Sequence, residues 1–92
     1  MSSTRTVRGS VSGRVQGVAY RMSLLQEANA LNLAGWVRNS ADGRVLFLAS
    51  GTPESVEALL EWARRGPALA RVDSLTVKDV EEAPPATFEV RF

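Results

Sequence analysis

The sequence contains neither cysteine nor histidine. That double absence excludes thiolate nucleophiles, histidine general bases, phosphohistidine intermediates and ordinary zinc sites. It also removes disulfides as a staple, while saying nothing firm about redox compartment. Lysine is nearly missing: of 11 basic residues ten are arginine, and Lys78 stands alone. Coding composition explains that bias as readily as function does. A net charge of +1 offers no electrostatic case for a nucleic-acid partner. No apolar run approaches the ~18 residues of a membrane span. The opening MSSTRTVRGS has no apolar signal-peptide core. The expectation is a cytoplasmic protein without membrane contact. An enzyme written in this alphabet must work with carboxylates, amides, hydroxyls, arginine or its own backbone.

What is present suits a single domain over residues 1–92, with an ordinary 45% apolar and 23% charged composition. A chain of this size buries roughly 60–65% of its unfolded surface, which leaves one core. Residues 5–15 alternate as a first strand, with Val7, Val11 and Val15 on one face and Arg8, Ser10, Ser12 and Arg14 on the other. Gly9 and Gly13 weaken that strand and leave room for something packed close above. Tyr20, Leu24, Ala28 and Leu31 carry helical spacing across 20–32, and Asn32 suits a left-handed helix end. GWVRNS is a short strand, Asp42-Gly43 a turn signal, and RVLFLAS a returning strand.

Thr52, Pro53, Glu54 and Glu57 then start a second helix, through a cap, a preset φ and charges matched to the dipole. Val56, Leu59, Leu60 and Ala63 form its apolar stripe, and Gly66-Pro67 stops it. Val72, Leu75 and Val77 mark a fourth strand. TFEVRF closes with Phe88, Val90 and Phe92 alternating. The order βαββαβ plus a terminal strand predicts an α+β fold, the ferredoxin-like split βαβ sandwich. Its two helices cover one face of a mostly antiparallel sheet. That fold hosts many unrelated functions and selects none.

The segment GRVQGVAYR, residues 13–21, joins the first strand to the first helix through QGVA. A tight loop containing Gly17 can turn successive N–H groups inward, and a helix starting near Tyr20 adds its own unpaired N–H groups. Arg21 at the mouth would contribute a planar, permanently charged fork matched to phosphate. The residues alone leave a plainer reading open, and favour it: a glycine-containing connection with a surface arginine.

Taken with GWVRNSADGRV at residues 35–45, however, GRVQGVAYR closely resembles the two signatures of the acylphosphatase family. LEWARRGP, ARV and the closing FEVRF extend the similarity along essentially all of the chain. The resemblance implies a ferredoxin-like enzyme that hydrolyses carboxyl-phosphate mixed anhydrides. It implies a phosphate cradle of backbone amides at Gln16, Gly17, Val18, Ala19 and Tyr20, a phosphate-binding Arg21 and a water-orienting Asn39. Without it, Asn39 reads as a residue bonding its own backbone at the mouth of a hairpin. Gln16 also has a plainer reading, as a strand-end residue.

The implied reaction is in-line attack of water on phosphorus with departure of the carboxylate. That leaving group needs no strong acid, so positioning and charge stabilisation remain for the protein. The expected partners are a small acyl phosphate and inorganic phosphate, the latter as product and competitive inhibitor. No cofactor, metal, nucleic acid or membrane is expected, and the chain should be a monomer. Trp36 is read as core. Leu46 departs from the usual polar residue after DGxV, and Leu48 shares its face. Both should point to the open side of the sheet, as harmless exposed leucines covered by arginine stems or as a small interaction patch. The competing class is a non-catalytic ferredoxin-like module, either regulatory or binding RNA through aromatics on the open face. The outer face of strand one carries no aromatic.

Overall fold

The computed structural model describes residues 3–17 and 19–91. Period-two alternation produces β1 (Arg5–Arg14), β2 (Ala34–Asn39), β3 (Val45–Gly51), β4 (Arg71–Asp79) and β5 (Phe88–Arg91). Two helices, α1 (Tyr20–Ala30) and α2 (Pro53–Arg65), interrupt them. The sheet order is β4-β1-β3-β2-β5, with every pairing antiparallel except β2–β5. This is the expected ferredoxin-like α+β arrangement: the first strand pairs with the third, and the second and fourth lie outside them.

The core forms between one sheet face and both helices. Val7, Val11, Val37, Phe47 and Ala49 meet Leu24 and Ala28 of α1 and Val56, Leu59, Leu60 and Ala63 of α2. Gly9 is required here, since a Cβ at that position would fall inside the Phe47 ring. α2 starts as its sequence dictates: Thr52 Oγ1 accepts from the Ser55 N–H at 3.2 Å, and Pro53 opens the first turn. α1 stops at Ala30, two residues short of the expected end, because its last carbonyls are taken by a reversing turn. Leu33 N–H reaches Ala28 O at 2.9 Å and Asn32 N–H reaches Asn29 O at 3.1 Å, with Asn32 at φ 57. That is the Schellman arrangement, closed by burial of Leu33 against Ala28.

The open face differs from its expectation. Trp36 is buried, at 5% exposure, yet it lies opposite Val37 and therefore away from the helix-side core. The guanidinium carbons of Arg8, Arg38 and Arg91 stand 5.3 to 5.8 Å from its ring centroid. Leu46 and Leu48 do share this face, alternating with Phe47, but Leu48 is only 1% exposed and Leu46 is half-buried. The register explains the cover: Leu48 has Arg8 beside it on β1 and Trp36 beside it on β2. Covering by arginine stems is thus the better of the two explanations for Leu48. The alternation expected at Phe92 lies outside the described residues.

Tyr20 ties the layers together. Its ring is buried against Trp62, centroids 5.4 Å apart, and its hydroxyl donates to Ala63 O at 2.7 Å. Burial pushes the hydroxyl's pKa well above its ordinary value. The sign follows from linkage. Below about pH 10 both folded and unfolded chains keep the proton; above it the unfolded chain ionises first, and stability falls by about 1.4 kcal/mol per pH unit. We expect Tyr20→Phe to cost about 1 kcal/mol at pH 7, a loss of about 4–8 °C in Tm for a domain this small. Because phenylalanine cannot ionise, that deficit should shrink above pH 10. Melting curves of both proteins at pH 7 and pH 11 check it, and equal deficits would refute the assignment.

Candidate active site

β1 and β2 each run antiparallel to β3 and are therefore parallel to one another. Val45 of β3 pairs with Val11 on one side and Asn39 on the other, so the C-terminal ends of β1 and β2 share one end of the sheet. α1 begins above that end. Its N-terminus, the positive pole of the helix, thus lies at the same end as Val15 and Asn39.

The connection into α1 is bent by two left-handed residues, Gly17 at φ 74 and Ala19 at φ 62 and ψ 21. Glycine adopts this geometry freely; alanine does so at a cost of order 1 kcal/mol or more. A left-handed residue followed by helical Tyr20 is the backbone pattern that turns successive N–H groups to one side. The two helix starts are unlike. α2 has a side-chain cap and an acidic residue in its first turn, whereas Ala19 brings no capping oxygen and the first turn of α1 has no acid. The first turn of α1 thus has neither a side-chain cap nor a negative charge of its own.

A cavity of about 140 Å³ lies at this point, lined by Val15, Gly17, Ala19, Tyr20, Arg21, Met22 and Asn39. A larger one of about 170 Å³ sits on the open sheet face beside Trp36 and Lys78, and it gathers none of the predicted site residues. The smaller cavity is the one that gathers predicted site residues. It brings together Arg21 from α1, Asn39 from β2 and the loop between β1 and α1. Arg21 Nη1 donates to the Arg91 carbonyl of β5 at 3.4 Å. Asn39 Oδ1 is buried and has no hydrogen-bond partner among the described residues. Such an acceptor is costly to leave unpaired.

The remaining site predictions divide. The Tyr20 hydroxyl serves the fold, since it is committed to Ala63, and only the backbone of Tyr20 is available to an anion. Gln16 does not line the cavity. Its Nε2 donates to Ser40 O at 2.8 Å and Arg44 O at 3.0 Å, pinning the loop to the β2–β3 hairpin. Within that hairpin the Ser40 hydroxyl and the Arg44 N–H hold the Asp42 carboxyl below the usual carboxylate range. Val18 lies outside the described residues. Met22 and Val15 reach the cavity without having been singled out as site residues from sequence. Val15 had only a strand pattern to speak for it, and Met22 falls off the helix's apolar stripe. Among the described residues no group of three or more His, Cys, Asp or Glu is placed to hold a metal.

Comparison with known proteins places the chain in a family. The sequence model of the acylphosphatase family matches residues 7–90. An acylphosphatase of Methylococcus capsulatus is 59% identical over 70 residues, covering 76% of each chain. One from Acidovorax is 44% identical over 90 residues, which is 98% of this chain and 91% of the relative. The structure of an acylphosphatase from Coxiella burnetii superposes with a TM-score of 0.92 at 35% identity, covering 96% of this chain and 93% of that one. Since the match runs from the first strand to the last, this chain belongs to the acylphosphatase family and is an enzyme with that activity.

Proposed function

We propose that the cavity at the start of α1 is where acyl phosphates are cleaved, with Arg21 and Asn39 in separate roles. The observation that carries this reading is that Asn39, whose Oδ1 is buried without a partner among the described residues, lines the same 140 Å³ cavity as Arg21 and the left-handed loop. The N–H groups of Gly17, Ala19 and Tyr20 hold the phosphoryl oxygens. Arg21 adds a guanidinium fork to the same oxygens. Asn39 accepts a hydrogen bond from the attacking water and holds it in line with phosphorus. The P–O bond to the carboxylate breaks as the water oxygen bonds to phosphorus, so R–CO–O–PO₃²⁻ and water give R–COO⁻ and H₂PO₄⁻. The water's proton ends on the phosphate product. Gln16 acts at one remove, holding the loop against the hairpin that carries Asn39.

The positive field comes from amides and one guanidinium, which supports a reaction that runs without a metal ion; the further reading is a monomer acting in the cytoplasm. Phosphate release from benzoyl phosphate or acetyl phosphate in the presence of EDTA is the direct test. Turnover should be unaffected by the chelator, and loss of turnover restored by a divalent cation would overturn metal independence. Inorganic phosphate should inhibit competitively. At a hundredfold excess over its dissociation constant it should stabilise the fold by about 2.7 kcal/mol, read as a rise in Tm.

The two side chains should fail differently. Arg21 meets phosphoryl charge in ground and transition states, so Arg21→Ala should raise KM and the phosphate inhibition constant as well as lower kcat. Arg21→Lys should recover little, because a point charge does not reproduce the fork. Asn39 orients a nucleophile without changing the charge on the substrate. Asn39→Ala should therefore lower kcat by about 10²–10³ with the phosphate inhibition constant nearly unchanged. Steady-state kinetics and melting on the same preparations separate these outcomes. A folded, fully active Asn39→Ala would end the assignment.

A further inference from the structure

The phosphoryl group accounts for the polar part of the cavity and leaves its apolar side unexplained. Val15, Ala19 and Met22 line the cavity alongside the polar residues. Val15 is fully buried and closes the inner wall. Met22 is 52% exposed, and Leu69 is the other large hydrophobic side chain left in solvent among the described residues. Leu69 lies in the α2–β4 connection, whereas Met22 is the third residue of α1.

Its placement on the helix gives the exposure a direction. Cα–Cβ bonds in an α-helix tilt toward the N-terminus, so a long side chain in the first turn leans over the residues that precede it. For Met22 those residues are the loop that makes the anion holder. The thioether therefore stands at the rim of the cavity, outward from the N–H groups and Arg21.

Resting on the reading of this cavity as the acyl phosphate site, we infer that Met22 is a specificity-determining contact for the acyl group and selects substrates with an apolar, preferably aromatic, acyl part. With the phosphoryl group held at the helix N-terminus and water attacking opposite the leaving oxygen, the carboxyl and its substituent must extend toward the mouth. A polarisable, unbranched thioether adapts to flat or irregular apolar groups and makes favourable contact with ring edges. A compact acetyl group is too short to cover it, so the contact is made only by larger acyl groups. The discrimination is modest, because the rim is half open to water.

The test compares kcat/KM for benzoyl phosphate and acetyl phosphate in the full chain, in Met22→Ala and in Met22→Leu. Inorganic phosphate inhibition is measured on each protein as a reading of the anion holder. We expect Met22→Ala to lower the benzoyl-to-acetyl ratio roughly three- to tenfold, through KM for benzoyl phosphate. Met22→Leu should keep most of the ratio, and the phosphate inhibition constant should change by less than the ratio does. An unchanged ratio in Met22→Ala overturns the inference. So does a parallel rise in both KM values and the phosphate constant, which would mean that Met22 only supports the loop. Failure of the unmodified protein to hydrolyse either substrate would instead defeat the catalytic reading on which this one stands.

Discussion

Tyr20 sits at the junction of core and site, and its burial couples the two. As the first residue of α1 it sets where the helix starts; as a buried ring against Trp62 it sets how α1 lies against α2. The bond from its hydroxyl to the Ala63 carbonyl fixes the remaining freedom. Everything the site needs is defined relative to that point. The left-handed Ala19 immediately precedes it, Arg21 and Met22 immediately follow, and the N–H groups of the first turn take their direction from the helix it begins. A floating helix end would present the same groups as a fluctuating, hydrated set, with much of their electrostatic value lost to reorganisation.

Around that anchor the chain places charge and polarity by backbone geometry more than by side-chain chemistry. A sequence without histidine or cysteine has few ways to activate a nucleophile, and acyl phosphate hydrolysis asks for little activation because a carboxylate departs readily. The proposed division of labour fits these limits. Peptide N–H groups and one guanidinium meet the phosphoryl charge, one amide oxygen orients water, and a glutamine side chain braces the parts. Ala19 accepts an unfavourable φ in this scheme, and the core contacts of Tyr20 offset that cost.

The opposite face of the sheet solves a different problem. A ferredoxin-like sheet with helices on one side leaves its other side to water, where an exposed tryptophan and two leucines would invite association. Here Trp36 lies beside Leu48 on the neighbouring strand and is itself flanked by Arg8, Arg38 and Arg91, so that apolar bodies are covered by side chains with charged ends. Arg8 and Arg91 are paired in turn with Glu82 and Glu89. The result is a second, thin apolar layer on the face away from the helices.

Local physics made much of this molecule legible from sequence. Period-two and period-3.6 patterns named the strands and helices, Thr52 and Pro53 marked a helix start, and Asn32 marked a helix end through its tolerance of left-handed geometry. Those signals depend only on neighbours along the chain. The resemblance carried by GRVQGVAYR and GWVRNSADGRV then brought Arg21 and Asn39 into one hypothesis, which periodicity alone would never have joined. Tertiary structure decided what depends on residues distant in sequence. The sheet order put the C-terminal ends of β1 and β2 at one end of the sheet on either side of β3, and Asn39 came to line one cavity with Arg21. It turned the Gln16 amide to carbonyls 24 and 28 residues away. It buried Leu48 beside Trp36 and left Met22 at the mouth of a cavity. In each case the energy belongs to a contact between elements, and one element's pattern contains no record of its neighbour across the sheet.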